Sequence, residues 1–337
     1  MTRGIVLIAT HDPGGALAIA PVLKAIRQKT PVALICSEFA RTRLDTQGLE
    51  STVLPQNLSA EQAAQFLNKH QPSALLTGTS WNSNSEQMLR NQAARAGIRS
   101  VVVIDYWRNY SARWAGAEYP LQKLPDIVCV ADDFMRKEML EEGFPANKVF
   151  STGQPHLEKL SAIPADLPFG PPKEFLFLSE PCLHLEAGHA HPFELVTRAV
   201  RKTCPPSSRL HFKAHPKEEL PEDLLELVQN LSDNHLEVKI LPQTTIFPAG
   251  LRQFDFVIGY QTMGLFEAAA LGKRVIAMPL PNPNSSLLGA LADFGISTSQ
   301  LCDDFLAETI AKLAITTPPM IGQKYSGATA AIVNQIL

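Results

Sequence analysis

Two α/β domains, each a doubly wound parallel sheet, are the fold class that the sequence predicts. Short apolar runs alternate with amphipathic helical stretches along most of the 337 residues. A Pro-rich stretch at 163–172 interrupts the alternation, which then restarts with the same architecture. Such alternation belongs to a parallel sheet with helices packed on it. The length is too great for one ordinary small domain and suits two. The expected boundaries are an N-terminal domain at 1–162, a linker at 163–172 and a C-terminal domain at 173–325. A terminal helix at 326–337 has the first domain as its expected packing partner.

In the first half, Ile5–Ala9, Val32–Cys36, Ala74–Thr77, Val101–Ile104 and Ile127–Val130 read as strands. Helical patterns lie between them near Ala16–Arg27, Ala60–Asn68, Glu86–Arg95 and Asp133–Glu142. A short strand at Lys148–Phe150 is closed by Gly153-Gln-Pro155. The linker reading rests on its X-Pro steps, which resist helix and give a semi-rigid extended path. Beyond it, Phe175–Leu178, Leu210–Lys213, Glu237–Ile240, Phe256–Ile258 and Val275–Met278 read as strands. The helices there are Pro192–Arg201, Pro221–Gln229, Thr262–Leu271, Asn284–Ala292, Asp304–Leu313 and Gly327–Leu337.

Composition narrows the class. Hydrophobic residues make up 45% and charged ones 19%, as in a well-buried globular chain. A net charge of −3 gives no electrostatic reason to expect nucleic acid as a partner. The five cysteines are scattered without CxxC spacing, as expected for reduced thiols in a cytoplasmic protein. Neither a signal peptide nor a window of transmembrane length is expected. Peripheral membrane contact stays open, and the sequence leaves the oligomeric state undetermined.

The segment Val257–Pro279 reads as strand, turn, helix and strand, so its turn lies at the carboxyl end of a parallel strand. Ligands bind at that edge of open α/β sheets, and the first helical turn favours phosphates there. Glu267 stands about one turn into the helix, where a carboxylate suits ribose hydroxyls better than phosphate. The first strand runs into Thr10-His11-Asp12-Pro13-Gly14-Gly15, where the glycines let backbone approach a ligand. This is not GxGxxG, so a dinucleotide fold is disfavoured. His11 or Asp12 could act as general base, while Asp12 equally suits capping the next helix.

Asp105-Tyr-Trp107-Arg-Asn109-Tyr110-Ser-Ala-Arg113-Trp114 holds four aromatics within the nine residues 106–114. Its rings, Asn109 and Arg113 suit a sugar ring and an anion, or else a loop packed at a domain interface. Lys213-Ala-His215-Pro216 ends another strand, and its Lys–His pair can neutralise a diphosphate leaving group. Ser179 opens a second phosphate-facing loop. The nearby His184, Glu186, His189 and His191 lack zinc-site spacing, and no metal is expected.

Together these segments resemble the GT-B fold of nucleotide-sugar enzymes, two facing α/β domains with the donor bound mostly by the second. Lys213-Ala-His215-Pro216 looks like the element of bacterial capsule-type sialyltransferases and glycerophosphotransferases. Gly264-Leu-Phe-Glu267-Ala-Ala-Ala-Leu-Gly272-Lys is similar to the donor-binding helix seen across the fold. Asp12-Pro-Gly-Gly15 and Asp105–Tyr110 look like elements of surface-polysaccharide proteins. The UDP-N-acetylglucosamine 2-epimerases are a related branch. They carry a Gly-Thr-Arg-Pro-Glu loop after the first strand, where this chain has His11-Asp-Pro-Gly-Gly.

The resemblance implies a metal-independent glycosyltransferase of glycan or secondary-metabolite assembly, with a UDP- or CDP-sugar as co-substrate and no resident cofactor. The acceptor would be a glycan or small molecule. An epimerase or hydrolase, or a binding protein on a degenerate scaffold, are the alternatives. Glu267 would bind ribose. Thr262, Met263, Gly264, Lys213 and His215, with Gly14, Gly15 and Ser179, would face phosphates. His11, Asp12 or Asp105 would serve as base, His215 would assist the leaving group, and Trp107, Asn109, Tyr110 and Arg113 would hold the acceptor.

Overall fold

The computed structural model describes residues 4–44, 49, 51–80, 83–114, 124–164, 171–180, 192–215, 226–228, 230–242, 245, 248–260, 262–279, 285–300, 302–318 and 324–337. The chain divides into two compact units. One is Met1–Lys159 with Ser285–Leu287 and Gln323–Leu337; the other is Leu160–Asn284 with Leu288–Gly322.

The first unit is built on a parallel sheet of β1 (Val6–Thr10), β2 (Val32–Cys36), β3 (Ser51–Val53), β4 (Ala74–Thr77), β5 (Arg99–Val103), β6 (Ile127–Val130) and β7 (Val149–Ser151). Its order is β3-β2-β1-β4-β5-β6-β7. The order reverses between β1 and β4, so the switch point where such sheets bind ligands lies at their carboxyl ends. The helices are α1 (Pro13–Arg27), α2 (Glu38–Arg41), α3 (Ala60–His70), α4 (Ser85–Arg95), α5 (Asp133–Glu141) and α6 (Pro155–Ser161).

Period-two alternation puts Ile8 and Leu76 on one face against Ile19, Val22 and Ile26 of α1. Leu7, Ala9 and Leu75 face the other way, against Ala63 and Leu67 of α3 and Leu89 of α4. Both faces are covered, which is why these strands read as unbroken apolar runs.

In the second unit, β8 (Glu174–Leu178), β9 (Ser208–Lys213), β10 (Leu236–Ile240), β11 (Phe256–Gly259), β12 (Arg274–Ala277) and β13 (Ser297–Thr298) pair in the order β10-β9-β8-β11-β12-β13. Here the switch point falls between β8 and β11. After β8 comes α7 (Pro192–Thr203); α8 (Met263–Ala270), α9 (Ser285–Asp293), α10 (Asp303–Ala314) and α11 (Ala328–Ile336) come after β11 in chain order. Phe175, Phe177 and Phe212 of the sheet form one core with Phe193 and Val196 of α7 and Leu306 and Ile310 of α10. Lys202 of α7 bridges Asp303 and Asp304 of α10 at 3.0 and 2.6 Å.

The terminal helix α11 belongs to the first unit and packs on α1, burying Ile332 and Val333. Each such side chain contributes roughly 1.5–3 kcal/mol. Glu158 of α6 fixes its start by accepting from the Gly327 and Thr329 N–H groups at 2.6 and 2.9 Å. Gly153, at φ +94°, is required there: a Cβ on it would lie 2.5 Å from Ala328 Cβ.

Several elements differ from expectation. α1 begins at Pro13, three residues before Ala16, because Pro is well suited to a first helical position. Gly14 and Gly15 therefore belong to a helical turn. The short β3, β13, α2 and α6 were not expected. Residues 165–170 of the linker and 216–225, around the expected Pro221 helix, lie outside the described residues. Among the described residues no helix is long and apolar enough to cross a membrane.

Candidate functional site

At the first unit's switch point, parallel pairing sets Ala9 beside Thr77, so the turns after β1 and β4 emerge together. Asp12 is the N-cap of α1 in extended conformation, and its carbonyl accepts the Ala16 N–H at 3.0 Å. Its carboxylate makes no capping bond; Oδ1 lies 3.0 Å from His11 Nδ1 instead. The Asp12 side chain is 34% exposed and that of His11 14%, so the pair stands at the protein surface.

Asp105, from the loop after β5, reaches the first turn of α1. Its Oδ1 pairs with Arg113 at 2.6 Å, and a Cβ on Gly14 would fall 2.3 Å from its Oδ2. Gly14 is thus the residue that lets this carboxylate approach the helix. At Gly15 a Cβ would lie 3.5 Å from the Gly78 Cα, where the two turns meet. Arg113 also donates to Thr79 Oγ1 at 2.7 Å.

The aromatic loop is where expectation fails. Trp107 and Tyr110 are fully buried, and so is Trp114. Trp107 Nε1 donates to Asp132 Oδ2 at 2.7 Å, and the Arg90 guanidinium sits 4.9 Å above the Trp114 ring. Trp107 and Tyr110 are therefore not an acceptor platform. Their rings are anchors that leave no face to solvent, and Trp107 has its polar handle satisfied inside. Asn109 remains exposed in left-handed conformation at φ +63°.

Sequence reasoning passed over Glu86. It is fully buried in the first turn of α4, where an acidic residue ordinarily faces water. Oε1 accepts the His11 N–H at 3.2 Å, and Oε2 accepts from Ser80 Oγ at 2.5 Å. Burial raises its carboxyl above the ordinary range; Arg90 and the Ser80 hydrogen bond oppose this, and Asp12 adds to it. The i, i+4 spacing of Glu86 and Arg90 was the available signal, and it reads equally as a surface pair.

In the second unit, register aligns Lys213, Leu178 and Gly259 across three neighbouring strand ends. The Ser179 N–H, just past this line, donates to the Lys213 carbonyl at 3.0 Å. Lys213 is buried, with Nζ donating to the Ala214 carbonyl at 3.0 Å, and His215 is half-buried beside it. α8 opens at Met263 after Thr262, an extended N-cap with no side-chain capping bond. The helix presses onto β8. A Cβ on Gly264 would meet Leu178 Cδ1 at 2.7 Å, and one on Gly259 would meet the Leu178 carbonyl at 3.0 Å.

Those glycines bring the N–H groups of the first turn, Met263 and Gly264 among them, down to the strand ends. Glu267 is buried one turn in. Burial raises the Tyr260 hydroxyl well above its ordinary range. His184, Glu186, His189 and His191 lie outside the described residues. His11, Asp12, Gly14, Gly15, Asp105 and Arg113 are thus gathered in the first unit, and Ser179, Lys213, His215, Thr262, Met263, Gly264 and Glu267 in the second.

No protein-family model matches the chain, and no curated protein does. Solved structures do. The UDP-GlcNAc 2-epimerase from Neisseria meningitidis bound to UDP-GlcNAc is similar at TM-score 0.68 and 14% identity, over 98% of this chain and 99% of that one. The S. aureus MnaA–UDP co-structure is similar at 0.65 and 15%, over 98% and 95%. MurG of Acinetobacter baumannii is similar at 0.61 and 16%, over 99% of each chain. Likeness at such identities is one of fold. The chain has the GT-B fold, two parallel-sheet α/β domains.

Proposed function

We propose that the protein is a nucleotide-sugar enzyme, and within that class a metal-independent glycosyltransferase using a UDP- or CDP-sugar. The observation that carries the reading is the second unit's edge: Lys213, Leu178 and Gly259 in register, the N-terminus of α8 beside them, and Glu267 one turn behind. Backbone N–H groups and a lysine suit a diphosphate. A carboxylate set back from them suits the hydroxyls of ribose.

In this reading Lys213, His215 and the first turn of α8 hold the diphosphate, with Ser179 contributing backbone. Asp12 takes the proton of the acceptor hydroxyl as its oxygen bonds to the anomeric carbon. The bond to the diphosphate breaks, and the diphosphate leaves with the electron pair. Positive groups that meet this developing charge lower the barrier. His11 orients Asp12. Asp105, held by Arg113, is the other candidate base of this edge. Asn109 is left as the acceptor-facing residue of its loop, while the Arg113 guanidinium is taken up by Asp105 and Thr79.

A specific observation favours a second reading, nucleotide-sugar 2-epimerisation or hydrolysis. Three carboxyls, those of Asp12, Asp105 and Glu86, gather at one sheet edge, more than a single proton abstraction needs. The epimerases among the similar structures point the same way. Two measurements decide. A thermal-shift panel of UDP, CDP, CMP, GDP and ADP should show stabilisation by at least one nucleotide; none in folded protein overturns both readings. Incubation with the matching nucleotide-sugar should leave it intact until an acceptor is added. Conversion of the donor alone replaces transfer by epimerisation or hydrolysis, and binding without turnover by either route leaves a binding protein.

A further inference from the structure

Glu86 lies under the His11–Asp12 turn and has no step in the proposed reaction, yet it touches both turns of the first unit's switch point. One oxygen holds the His11 N–H and the other the Ser80 hydroxyl. The backbone crowds it: a Cβ on Gly78 would stand 3.1 Å from Oε1. One helical turn on, buried Arg90 donates to Thr77 Oγ1 and the Gly78 carbonyl at 3.0 and 3.1 Å. The charged and titratable groups around Glu86 are Arg90 from its own helix and His11 and Asp12 from the β1–α1 turn. The Arg113–Asp105 pair reaches the same β4–α4 turn through Thr79.

We propose that Glu86 is a positioning residue for the reaction above: as a neutral acid it accepts the His11 N–H at Oε1 and donates from Oε2 to Ser80 Oγ, tying the two turns together, and on ionising it sets a second negative charge beside Asp12. Two observations carry this beyond simple packing. Glu86 is fully buried, yet its two oxygens are engaged by two different turns, through the His11 N–H and the Ser80 hydroxyl, and burial raises its carboxyl against Arg90 and the hydrogen bonds. The group it perturbs, Asp12, is the proposed base, one residue from the backbone N–H that Glu86 holds. With Glu86 protonated, Asp12 is the single anion of the two and its place beside His11 is undisturbed. With Glu86 ionised, like charges oppose each other in a partly desolvated site and activity falls. The proton that Glu86 gives up goes to solvent.

The inference rests on the reading of Asp12 as base, but its first test needs no substrate. In protein labelled with carbon-13 at the Glu side-chain carboxyls, one resonance should titrate above the ordinary carboxylate range and be absent from Glu86→Gln. Gln keeps an oxygen for the His11 N–H, its NH2 donates to Ser80 Oγ as the neutral acid would, and the ionisation is removed. A Glu86 resonance that titrates within the ordinary range overturns the inference, and the enzyme reading survives. The second test is turnover against pH with the donor found by the nucleotide panel. The wild type should lose at least about tenfold on the alkaline side, with the midpoint seen by NMR, and Glu86→Gln should lose that limb. Glu86→Asp, shorter by a methylene, should restore a titrating limb at a reduced rate. Wild-type and Gln profiles of the same shape overturn the inference. Absent turnover of any nucleotide-sugar removes the reading above and with it Asp12's role, while the resonance still reports the Glu86 ionisation.

Discussion

The two switch points are built from opposite materials. In the first unit, the turns around β1 and β4 gather charged side chains engaged with polar partners: His11 with Asp12 after β1, Asp105 with Arg113 after β5, and Glu86 of α4 with Ser80. In the second, β8 and β11 end in Leu178 and Gly259, with the first turn of α8 pressed onto them through Gly264, and β9 beside them ends in Lys213. Side chains that can change charge suit proton movement, whereas a helix N-terminus pressed onto a strand end suits an anion that stays put. The same doubly wound topology thus supports two different jobs, decided by the residues that leave the carboxyl end of each strand.

Substitutions that touch one edge and spare the other break or sharpen this contrast. The largest effect is expected for Asp12→Asn. Turnover should fall about 10²–10⁴-fold, the usual contribution of a positioned base, with UDP affinity by calorimetry unchanged. Lost affinity in that variant would mean that the first edge binds the nucleotide.

Glu267→Ala comes next. Losing hydrogen bonds to a carboxylate costs about 1.5–3 kcal/mol, or about 10–100-fold in UDP affinity. Inorganic pyrophosphate should bind as before, because no ribose is involved. Weakening of both ligands alike would remove the ribose assignment.

Gly14→Ala pushes a methyl to where Asp105 Oδ2 stands, and that carboxylate cannot yield without loosening Arg113. Overpacking of this kind costs about 1–3 kcal/mol. Denaturant unfolding should show that loss, and UDP affinity should be spared.

The smallest effect concerns His211, two residues before Lys213 on β9. Burial lowers its ring below the ordinary histidine range, while its Glu174 partner at 3.1 Å works the other way. The folded state therefore binds this proton less readily than the unfolded chain. The stability contribution is present above the ordinary pKa and is lost as pH falls through the folded one. His211→Asn should flatten the drop in melting temperature between pH 7 and 5 and leave UDP affinity alone. An unchanged slope would show that His211 is not the titrating group.

Much of the fold was legible because both sheets are covered on both faces. Val32–Cys36, Ala74–Thr77 and Ile127–Val130 have the bounds that their apolar runs announced. β3 and β13 were not legible: they are short edge strands, Ser51–Val53 and Ser297–Thr298, with no apolar run to mark them. His11, Asp12 and Asp105 could be placed because each lies just past the end of a strand. Glu86 could not, since a Glu at the start of an amphipathic helix reads as solvated and only tertiary packing buries it. Trp107 and Tyr110 misled for the converse reason. Aromatic richness in a loop signals large buried area before it signals a sugar.

The most direct test of the account is calorimetric titration of UDP and CDP into the wild type and into Lys213→Ala. The account predicts saturable binding of at least one of them, weakened at least about tenfold without Lys213, and unchanged when Asp12→Asn is titrated in parallel. Folded protein that binds neither nucleotide, or binds one equally well without Lys213, would contradict it.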